Sequence, residues 1–323
     1  MSAAVAIGGL VFRVEPPLCV VVALALDATV GEPPESIHPV ALFGRAIALL
    51  DREWPASRLV GVLVAVLAPA SVAALAGVMV ASLPSSAGLI LASLLLFSTI
   101  SLRRLLVSAR DVIETSGSDV ERARGAIPAL VGRDPASLSP GHLRSGAVES
   151  LAENLADGFV APLAAFVLGA QVSLSVGVAA AVWVKAVNTL DSMLGYRAKP
   201  VGWASARLDD LVMWLPARLT AILIAVAAHD PSAFRSARRW QDAPLSPNSG
   251  WPMATLGAVL DVRLEKPGVY VLNPDAELPD VDGAILAVRI VAIAGAIAGL
   301  VAVILASVRF TPNALALVGV SPC

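Results

Sequence analysis

A long run without any ionisable residue constrains this chain more than any other feature. Between Arg58 and Arg103, 44 residues contain no Asp, Glu, Lys, Arg or His. A bilayer core about 30 Å thick is crossed by a helix of about 20 apolar residues, so this run is long enough for two crossings. Pro84 interrupts it in a Ser-rich stretch, and proline is unfavourable inside a helix. The run predicts a helical hairpin with membrane segments at about 59–81 and 87–107.

Other parts of the chain have the same signature. Residues 158–184 and 290–308 contain no ionisable side chain, and residues 211–228 are apolar except for Arg218. Small residues dominate stretches such as 292–299, where helices can approach closely in a membrane. Further membrane segments are therefore expected at about 158–184, 211–228 and 285–308, with a possible partial helix at 16–26.

The composition agrees with a membrane protein. Hydrophobic residues make up 57% of the chain and charged residues 15%, with a mean hydropathy of +0.79, whereas soluble domains carry about 25% charged residues. The net charge of −2 excludes a global basic field for binding nucleic acid. We expect an all-α fold, a polytopic integral membrane helical bundle of about 4–6 membrane segments, which forms a single membrane domain over residues 1–323. The alternative, core helices of a large soluble protein, is disfavoured by the number and length of the charge-free runs.

Basic residues indicate how the hairpin is oriented. The positive-inside rule places both of its flanks in the cytoplasm, because arginines occur on each side, at Arg45, Arg52 and Arg58 before it and Arg103, Arg104 and Arg110 after it. If residues 158–184 cross once, Asn154 and Asp191 fall on opposite sides of the membrane. Either this segment is a bent or re-entrant pair of half-helices around residues 169–175, or its polar flanks lie at membrane depth. The sequence leaves both readings open.

The first polar cluster follows the N-terminal apolar stretch. Asp27, Glu32 and His38 lie within the string DxxxGEPPxxxHPV, in which glycine and prolines force a defined turn. The acids are candidates for holding a cation, and the histidine for binding phosphate or moving a proton. The alternative is a helix-terminating loop with capping acids.

The second cluster precedes the 158–184 run. Glu149, Glu153 and Asp157 recur at i, i+4 and i+8, which places three carboxylates on one helix stripe. Like charges at this spacing repel unless a cation lies between them. The stripe predicts a Mg²⁺ or ammonium site, and the alternative is a solvated acidic face.

The third cluster follows the same run. Lys185, Asn188, Thr189 and Ser192 share one helix stripe, and Asp191 lies beside it. The step N-x-x-D thus occurs on both sides of the run, at 154–157 and 188–191. This symmetry suggests two facing helices that share a metal–phosphate site, and polar groups buried in membrane bundles are usually functional. Hydrogen bonds that merely join two helices are the alternative.

The fourth cluster, Asn248-Ser249-Gly250-Trp251, opens a helical stretch. Its backbone N–H groups are candidates for binding an anion, and Trp251 for stacking on a large planar ligand. The alternative is an N-cap beside an interfacial tryptophan. Elsewhere the chain has no P-loop, dinucleotide-binding or HExxH motif.

Taken together, these strings identify a resemblance. DxxxGEPPxxxHPV from Asp27, ENxxDG from Glu153, KxVNTLDSMxGYR from Lys185 and NSGWPMA from Asn248 occur in the order typical of the cobalamin-biosynthesis CbiB/CobD family. The chain is similar to these multi-pass membrane adenosylcobinamide-phosphate synthases over about residues 20–310. The resemblance implies ATP-dependent amide ligation of adenosylcobyric acid with aminopropanol phosphate or ethanolamine phosphate, with Mg²⁺ as the metal. It also implies a site in the cell membrane that faces the cytoplasm, and other membrane enzymes of the pathway as candidate partners.

Residue chemistry and membership in these motifs suggest roles. We expect Asp27 or Glu32 to act as the base or to orient the ammonium group, and His38, Lys185 and Arg197 to bind phosphate. The expected metal ligands are Glu153, Asn154, Asp157, Asn188 and Asp191, of which Asp191 is also a catalytic candidate. Asn248, Ser249 and Trp251 are expected to contact the corrinoid or the nucleotide. Two other functions stay open, a Mg²⁺-dependent membrane prenyltransferase and a transporter, while the ATP site, the choice of aminoalcohol and the oligomeric state are not readable.

Overall fold

The computed structural model describes residues 5–7, 10–52, 54, 56–131, 135–195 and 199–310. Its principal elements are α-helices, and the expected all-α fold is confirmed. In chain order they are α1 (Glu15–Thr29), α2 (Pro39–Ala48), α3 (Ser57–Ser82), α4 (Ser85–Thr99), α5 (Leu102–Ser118), α6 (Val120–Ala126), α7 (Pro140–Leu155), α8 (Ala161–Ala170), α9 (Leu174–Leu194), α10 (Trp203–Val212), α11 (Trp214–Ala227), α12 (Pro231–Ala237), α13 (Gly250–Leu260) and α14 (Val281–Ser307).

Short elements complete the described chain. A π-helical turn, Ala156–Val160, joins α7 to α8, and 3₁₀ turns occur at Ile127–Ala129, Pro135–Ser137 and Pro200–Gly202. Three short antiparallel strands pair in the order β1 (Val5–Ile7), β2 (Leu10–Phe12) and β5 (Val308–Phe310). A separate hairpin joins β3 (Leu264–Lys266) to β4 (Tyr270–Leu272).

Five helical stretches of the described chain are long and apolar enough to cross a membrane. A sixth is obtained if the pair Pro200–Val212 and Trp214–Ala227, bent by 47°, is counted as one broken span. The five are Ser57–Ser82, Ser85–Ser118, Pro140–Ala170, Leu174–Leu194 and Val281–Ser307. This number agrees with a polytopic helical membrane protein.

The expected membrane segments correspond to these helices, except that one segment is divided between two helices. The 59–81 and 87–107 runs lie in α3 and in α4–α5, and the helix breaks at Leu83 and Pro84, whose backbones are extended. The 285–308 run lies within α14 except for its last residue, the 211–228 run is centred on α11, and the partial helix at 16–26 is part of the longer α1.

The run 158–184 is divided between α8 and α9 instead of forming one continuous helix. The chain turns at residues 171–173, and the Ser173 hydroxyl accepts a hydrogen bond from the Val176 N–H at 3.2 Å, which caps α9. A Cβ on Gly169 would lie 2.6 Å from the Val176 carbonyl oxygen, so only glycine allows this close turn. The break lies within the stretch around 169–175 where the sequence suggested it.

By its internal contacts the chain divides into two compact units. The first unit comprises Met1–Ile100, Pro162–Leu208 and Gly299–Cys323, and the second comprises Ser101–Ala161 and Asp209–Ala298. In the first unit α3 and α2 pack on α9, and α1 packs on α4. In the second unit α5 packs on α7, and α11 and α12 pack on α13. The organisation as a single membrane domain stays a prediction.

Candidate functional site

The first unit contains the first and third motifs. Asp27 lies buried near the end of α1, and the chain then turns through Gly31, which has a φ of +75°. Glu32 is half-buried in that turn, and His38 is buried directly before α2. The predicted rigid turn after Asp27 is therefore present, and it connects α1 to α2.

His38 is the N-cap of α2. Its Nδ1 accepts a hydrogen bond from the Val40 N–H at 3.2 Å, and Pro39 occupies the first helical position. Because Nδ1 is the acceptor, a neutral His38 carries its proton on Nε2. Nε2 is therefore the ring atom that would donate a hydrogen bond to a phosphate.

Gly44 brings the first motif against the third. A Cβ at this position would lie 3.2 Å from the Met193 Sδ and 4.0 Å from the Thr189 Cγ2. The absence of a side chain lets α2 pack closely on α9, as the element contacts show. Gly44, four residues after the first motif, thus serves the packing of α2 against the third motif.

The third motif forms the polar stripe of α9. Lys185, Asn188, Thr189 and Asp191 are all partly buried. The Thr189 hydroxyl donates to the Lys185 carbonyl oxygen at 2.8 Å, and the Ser192 hydroxyl donates to the Asn188 carbonyl oxygen at 2.9 Å. These hydroxyl hydrogens are used within the helix.

A cavity of about 410 Å³ lies between α2, α3, α4 and α9 of the first unit. Its lining includes Lys185 and Thr189 from the third motif and Pro39 and Val40 from the first. Among the described residues, Lys185 is the one charged side chain in a lining that is otherwise largely apolar. The cavity therefore combines one cation with largely apolar surroundings.

The second unit contains the second and fourth motifs. Glu153 and Asn154 lie near the end of α7, and Asp157 lies in the π-helical turn that follows, all partly buried. The Asn154 amide nitrogen donates to the Ser150 hydroxyl at 2.9 Å and to the Ser150 carbonyl at 3.1 Å. Its Oδ1 is then the atom that would contact a cation. π-turns are rare and are frequently found at functional sites.

Glu149, the first acid of the predicted stripe, is buried in a hydrogen-bonded cluster. The Tyr270 hydroxyl donates to its Oε2 at 2.5 Å, and the Ser145 hydroxyl donates to its Oε1 at 2.8 Å. The Ser145 hydroxyl also accepts from the Glu265 N–H at 2.7 Å. Glu149 thus ties the β3–β4 hairpin to α7, and two hydroxyls stabilise its carboxylate where the sequence suggested a cation.

The fourth motif is held by Arg218 of α11. Arg218 Nη1 donates to the Asn248 Oδ1 at 3.2 Å, and the Asn248 amide nitrogen donates to the Asp210 carbonyl at 2.7 Å. The guanidinium carbon of Arg218 lies 4.4 Å from the Trp214 ring centroid and 5.2 Å from that of Trp251. Cation–π attraction therefore fixes the single charged residue of the 211–228 segment.

Trp251 also stacks on Phe234, with ring centroids 5.1 Å apart. Asn248 and Ser249 are buried, and α13 begins directly after them at Gly250. These contacts are internal to the second unit, and the roles of Asn248, Ser249 and Trp251 toward a substrate stay predictions.

The predicted metal ligands are distributed over both units. Asn188 and Asp191 lie in the first unit, whereas Glu153, Asn154 and Asp157 lie in the second. Their sharing of one site stays a prediction. Within the described chain no three His, Cys, Asp or Glu side chains converge on a possible metal position. Mg²⁺ is usually held by one or two carboxylates together with substrate phosphates, and the two acids and one amide around Asp157 fit that type of site.

The sequence did not reveal some structurally important residues. Arg218 was visible only as a charge in an apolar segment, a signal that marks functional positions in membranes. Tyr270 gave no signal, because its partner Glu149 is 121 positions away in the chain. Arg197 was predicted to bind phosphate and lies outside the described residues.

Comparisons with known proteins agree with the resemblance. The family model described as CobD/Cbib protein matches residues 20–300. The probable cobalamin biosynthesis protein CobD of Methanothrix thermoacetophila is 35% identical over 302 residues, which cover 88% of this chain and 95% of that protein. The cobalamin biosynthesis protein CobD of Rhodobacter capsulatus is 38% identical over 265 residues, 77% of this chain and 82% of its own length.

A third relative, the cobalamin biosynthesis protein CobD of Mycobacterium tuberculosis, is 36% identical over 263 residues, 78% of this chain and 81% of that protein. No solved structure matches the chain. The match to the family model over most of the chain, together with relatives covered over most of their length, leads to one conclusion: this chain belongs to the CobD/CbiB family of cobalamin biosynthesis proteins.

Proposed function

We propose that this protein joins adenosylcobyric acid to an aminoalcohol phosphate through an amide bond, in an ATP-dependent reaction. The observation that carries the proposal is the cavity of the first unit, where Lys185 is the one charged group among the described residues of a largely apolar lining. Membership of a cobalamin biosynthesis family supports a corrinoid as the substrate.

The cavity suits the chemistry of amide formation. A carboxylate must first be activated, most simply as an acyl phosphate, and water competes with the amine for such a group. Apolar walls exclude water and strengthen electrostatic contacts inside the site. A corrinoid is far larger than about 410 Å³, so it would place only the arm that carries the reacting carboxylate in this cavity.

The chain's own residues bind and orient the reactants in this account. Lys185 contacts the phosphoryl oxygens, and His38 donates to a phosphate through Nε2. Asp27 or Glu32 accepts the proton that the amine releases when it attacks. Asn248, Ser249 and Trp251 contact the corrinoid or the nucleotide.

The proposed Mg²⁺ ligands lie near the end of α7 in the second unit and on α9 in the first unit. Glu153, Asn154 and Asp157 would hold Mg²⁺, with Asn188 and Asp191 as the candidates in the first unit. When bound, Mg²⁺ would neutralise charge on the nucleotide phosphates. Asn154 presents Oδ1, because its amide nitrogen is bonded to Ser150.

The same proposal includes the cellular setting. The protein would lie in the cell membrane with its site on the cytoplasmic face, where ATP and both substrates are available. The basic residues that flank the first hairpin support this orientation.

A mass assay on detergent-purified protein tests the function. Adenosylcobyric acid, aminopropanol phosphate, ATP and Mg²⁺ are supplied, and the mass of the corrinoid is followed. We expect a gain equal to the amine phosphate minus water, which disappears when ATP is omitted. An unchanged corrinoid with a demonstrably folded protein would overturn the proposal. Mg²⁺-dependent binding of an isoprenoid diphosphate, or solute flux in proteoliposomes, would then favour the transferase or the transporter.

A further inference from the structure

A second cavity of the first unit, of about 480 Å³, has a very different lining. Asp51, Arg52, Trp54, Ser57 and Lys199 contribute to it, so its charges are of both signs. None of these residues belongs to the four motifs or lines the apolar cavity. We name it the charged cavity.

Asp51 and Lys199 form an ion pair in its wall. The Lys199 Nζ lies 2.6 Å from the Asp51 Oδ2, and both side chains are about one-third exposed. Pro200 follows Lys199 and starts a 3₁₀ turn that packs on α3. The ion pair is therefore anchored to a helix and remains accessible to a small ligand.

Arg52 supplies the second cation. Its guanidinium carbon lies 4.0 Å from the centroid of the Trp54 ring. The Trp54 Nε1–H donates to the Leu50 carbonyl at 3.1 Å, and the Ser57 hydroxyl donates to the Trp54 carbonyl at 2.7 Å. Within the described chain no carboxylate lies within ion-pair distance of Arg52. The tryptophan thus orients a guanidinium whose donors suit a phosphate.

These charges match a zwitterion. A phosphate monoester carries a charge of about −1.5 to −2 at neutral pH, and an aminoalkyl phosphate adds one ammonium group. The two cations and one carboxylate of the described lining residues complement the charged groups of such a molecule in sign. The described lining of the apolar cavity has Lys185 as its one charged side chain and offers no carboxylate to an ammonium group.

We propose that the charged cavity binds an aminoalkyl phosphate, with the phosphate at Arg52 and Lys199 and the ammonium at Asp51. This inference rests on the proposed function, in which an aminoalcohol phosphate is a substrate. The same chemistry occurs in the headgroup of phosphatidylethanolamine. The assigned occupant is the free aminoalcohol phosphate, and the experiment separates the two sources.

Direct binding is measured first, without ATP or corrinoid. Full-length protein in detergent is dialysed to equilibrium against labelled aminopropanol phosphate. We expect saturable binding that Arg52→Gln and Lys199→Met each weaken by about 10-fold or more, because a charge-assisted hydrogen bond is lost. Arg110→Gln is the control, since Arg110 is exposed and lies in the second unit. Equal affinity in all three variants and the wild type would overturn the inference.

Asp51→Asn tests the orientation. It is expected to weaken binding of aminopropanol phosphate more than that of propyl phosphate, which lacks the amine. An equal effect on both ligands would contradict the placement of the ammonium at Asp51.

Nanodiscs made with or without phosphatidylethanolamine test whether the headgroup of this lipid, and not the free aminoalcohol phosphate, occupies the charged cavity. The inference predicts that this lipid leaves the affinity for aminopropanol phosphate unchanged. If the lipid abolishes that binding, and Arg52→Gln releases co-purified phosphatidylethanolamine, the cavity is a headgroup site and the assignment to the free substrate is overturned.

Turnover separates failure of this inference from failure of the proposed function. If wild-type protein makes the amide while Arg52→Gln and Lys199→Met keep the wild-type KM for the amine phosphate, the inference fails and the function stands. If wild-type protein binds aminopropanol phosphate through these residues but never forms the amide, the binding site stands and the proposed ligation fails.

Discussion

The two units use the polar residues of their motifs in different ways. In the second unit Glu149 accepts from two hydroxyls, and Asn248 joins Arg218 to the backbone of Asp210. In the first unit Lys185 lines an apolar cavity. The described contacts therefore identify Glu149 and Asn248 as structural residues of the second unit, whereas ligand binding by Lys185 is a proposal that needs a functional test.

Asp157 gives the largest expected effect, because it is one of the second-unit residues proposed to hold Mg²⁺. Asp157→Ala removes a candidate Mg²⁺ ligand from the π-turn, and we expect turnover to be abolished in the mass assay without loss of folding. Asp282→Ala is the matched control, since Asp282 is an exposed acid of the same unit. A fully active Asp157→Ala enzyme would contradict the metal role proposed for Asp157.

Lys185 tests the role of the apolar cavity. Lys185→Met keeps most of the side-chain volume and deletes the charge, so we expect a loss of kcat of about 100-fold or more with an unchanged unfolding temperature. Thr189→Val is the control in the same lining, because its hydroxyl donates within α9, and its activity should stay close to that of the wild type. Comparable losses in both variants would show that the cavity matters through packing alone.

Substitution of Tyr270 tests whether the hydrogen-bonded cluster around Glu149 has a structural role in the second unit. Tyr270→Phe leaves the buried Glu149 carboxylate without one of its two hydroxyl donors, which is expected to lower the free energy of unfolding by about 1–3 kcal/mol. The measurement is thermal unfolding in detergent, with kcat determined well below the transition. A stable variant with a strongly reduced kcat would contradict this structural role and indicate that Tyr270 takes part in the reaction.

Gly44 gives the smallest expected effect. A Cβ there meets the Met193 Sδ at 3.2 Å, and this flexible side chain can shift, so Gly44→Ala should cost about 1 kcal/mol or less. Gly169→Ala is the contrasting variant, because its Cβ would meet backbone atoms of Val176 and Gly177 within 3 Å. We expect a clearly larger fall in unfolding temperature for Gly169→Ala, and the reverse order would invalidate the packing described between α2 and α9.

Local signals predicted the parts of the fold that depend on local physics. The absence of charge between Arg58 and Arg103 predicted two apolar helices, and Pro84 marked their break. Glycine and proline after Asp27 predicted the turn at Gly31, which has a positive φ. In each case the information lies within a few residues of the feature, so that periodicity and backbone preference are sufficient.

The same reasoning could not predict contacts between residues that are distant in the sequence. The carboxylate stripe from Glu149 to Asp157 has the correct spacing for one helix face, yet nothing local indicates that Tyr270 satisfies Glu149. The cation–π contacts of Arg218 and the meeting of Gly44 with Met193 depend equally on tertiary packing. Motif resemblance suggested candidate site residues, whereas their division between two units became visible only in the three-dimensional structure.

An isotope version of the mass assay tests the central claim, the activation and amidation of the corrinoid carboxylate, most directly. Adenosylcobyric acid labelled with ¹⁸O in both carboxylate oxygens is turned over with ATP, Mg²⁺ and aminopropanol phosphate. In the proposed reaction, attack of the carboxylate on the γ-phosphorus of ATP releases ADP and forms the acyl phosphate, and attack of the amine then expels phosphate. The account predicts one ¹⁸O in the amide and one in the released phosphate. A folded, pure protein that yields no amide, or an amide formed without transfer of ¹⁸O to phosphate, would contradict it.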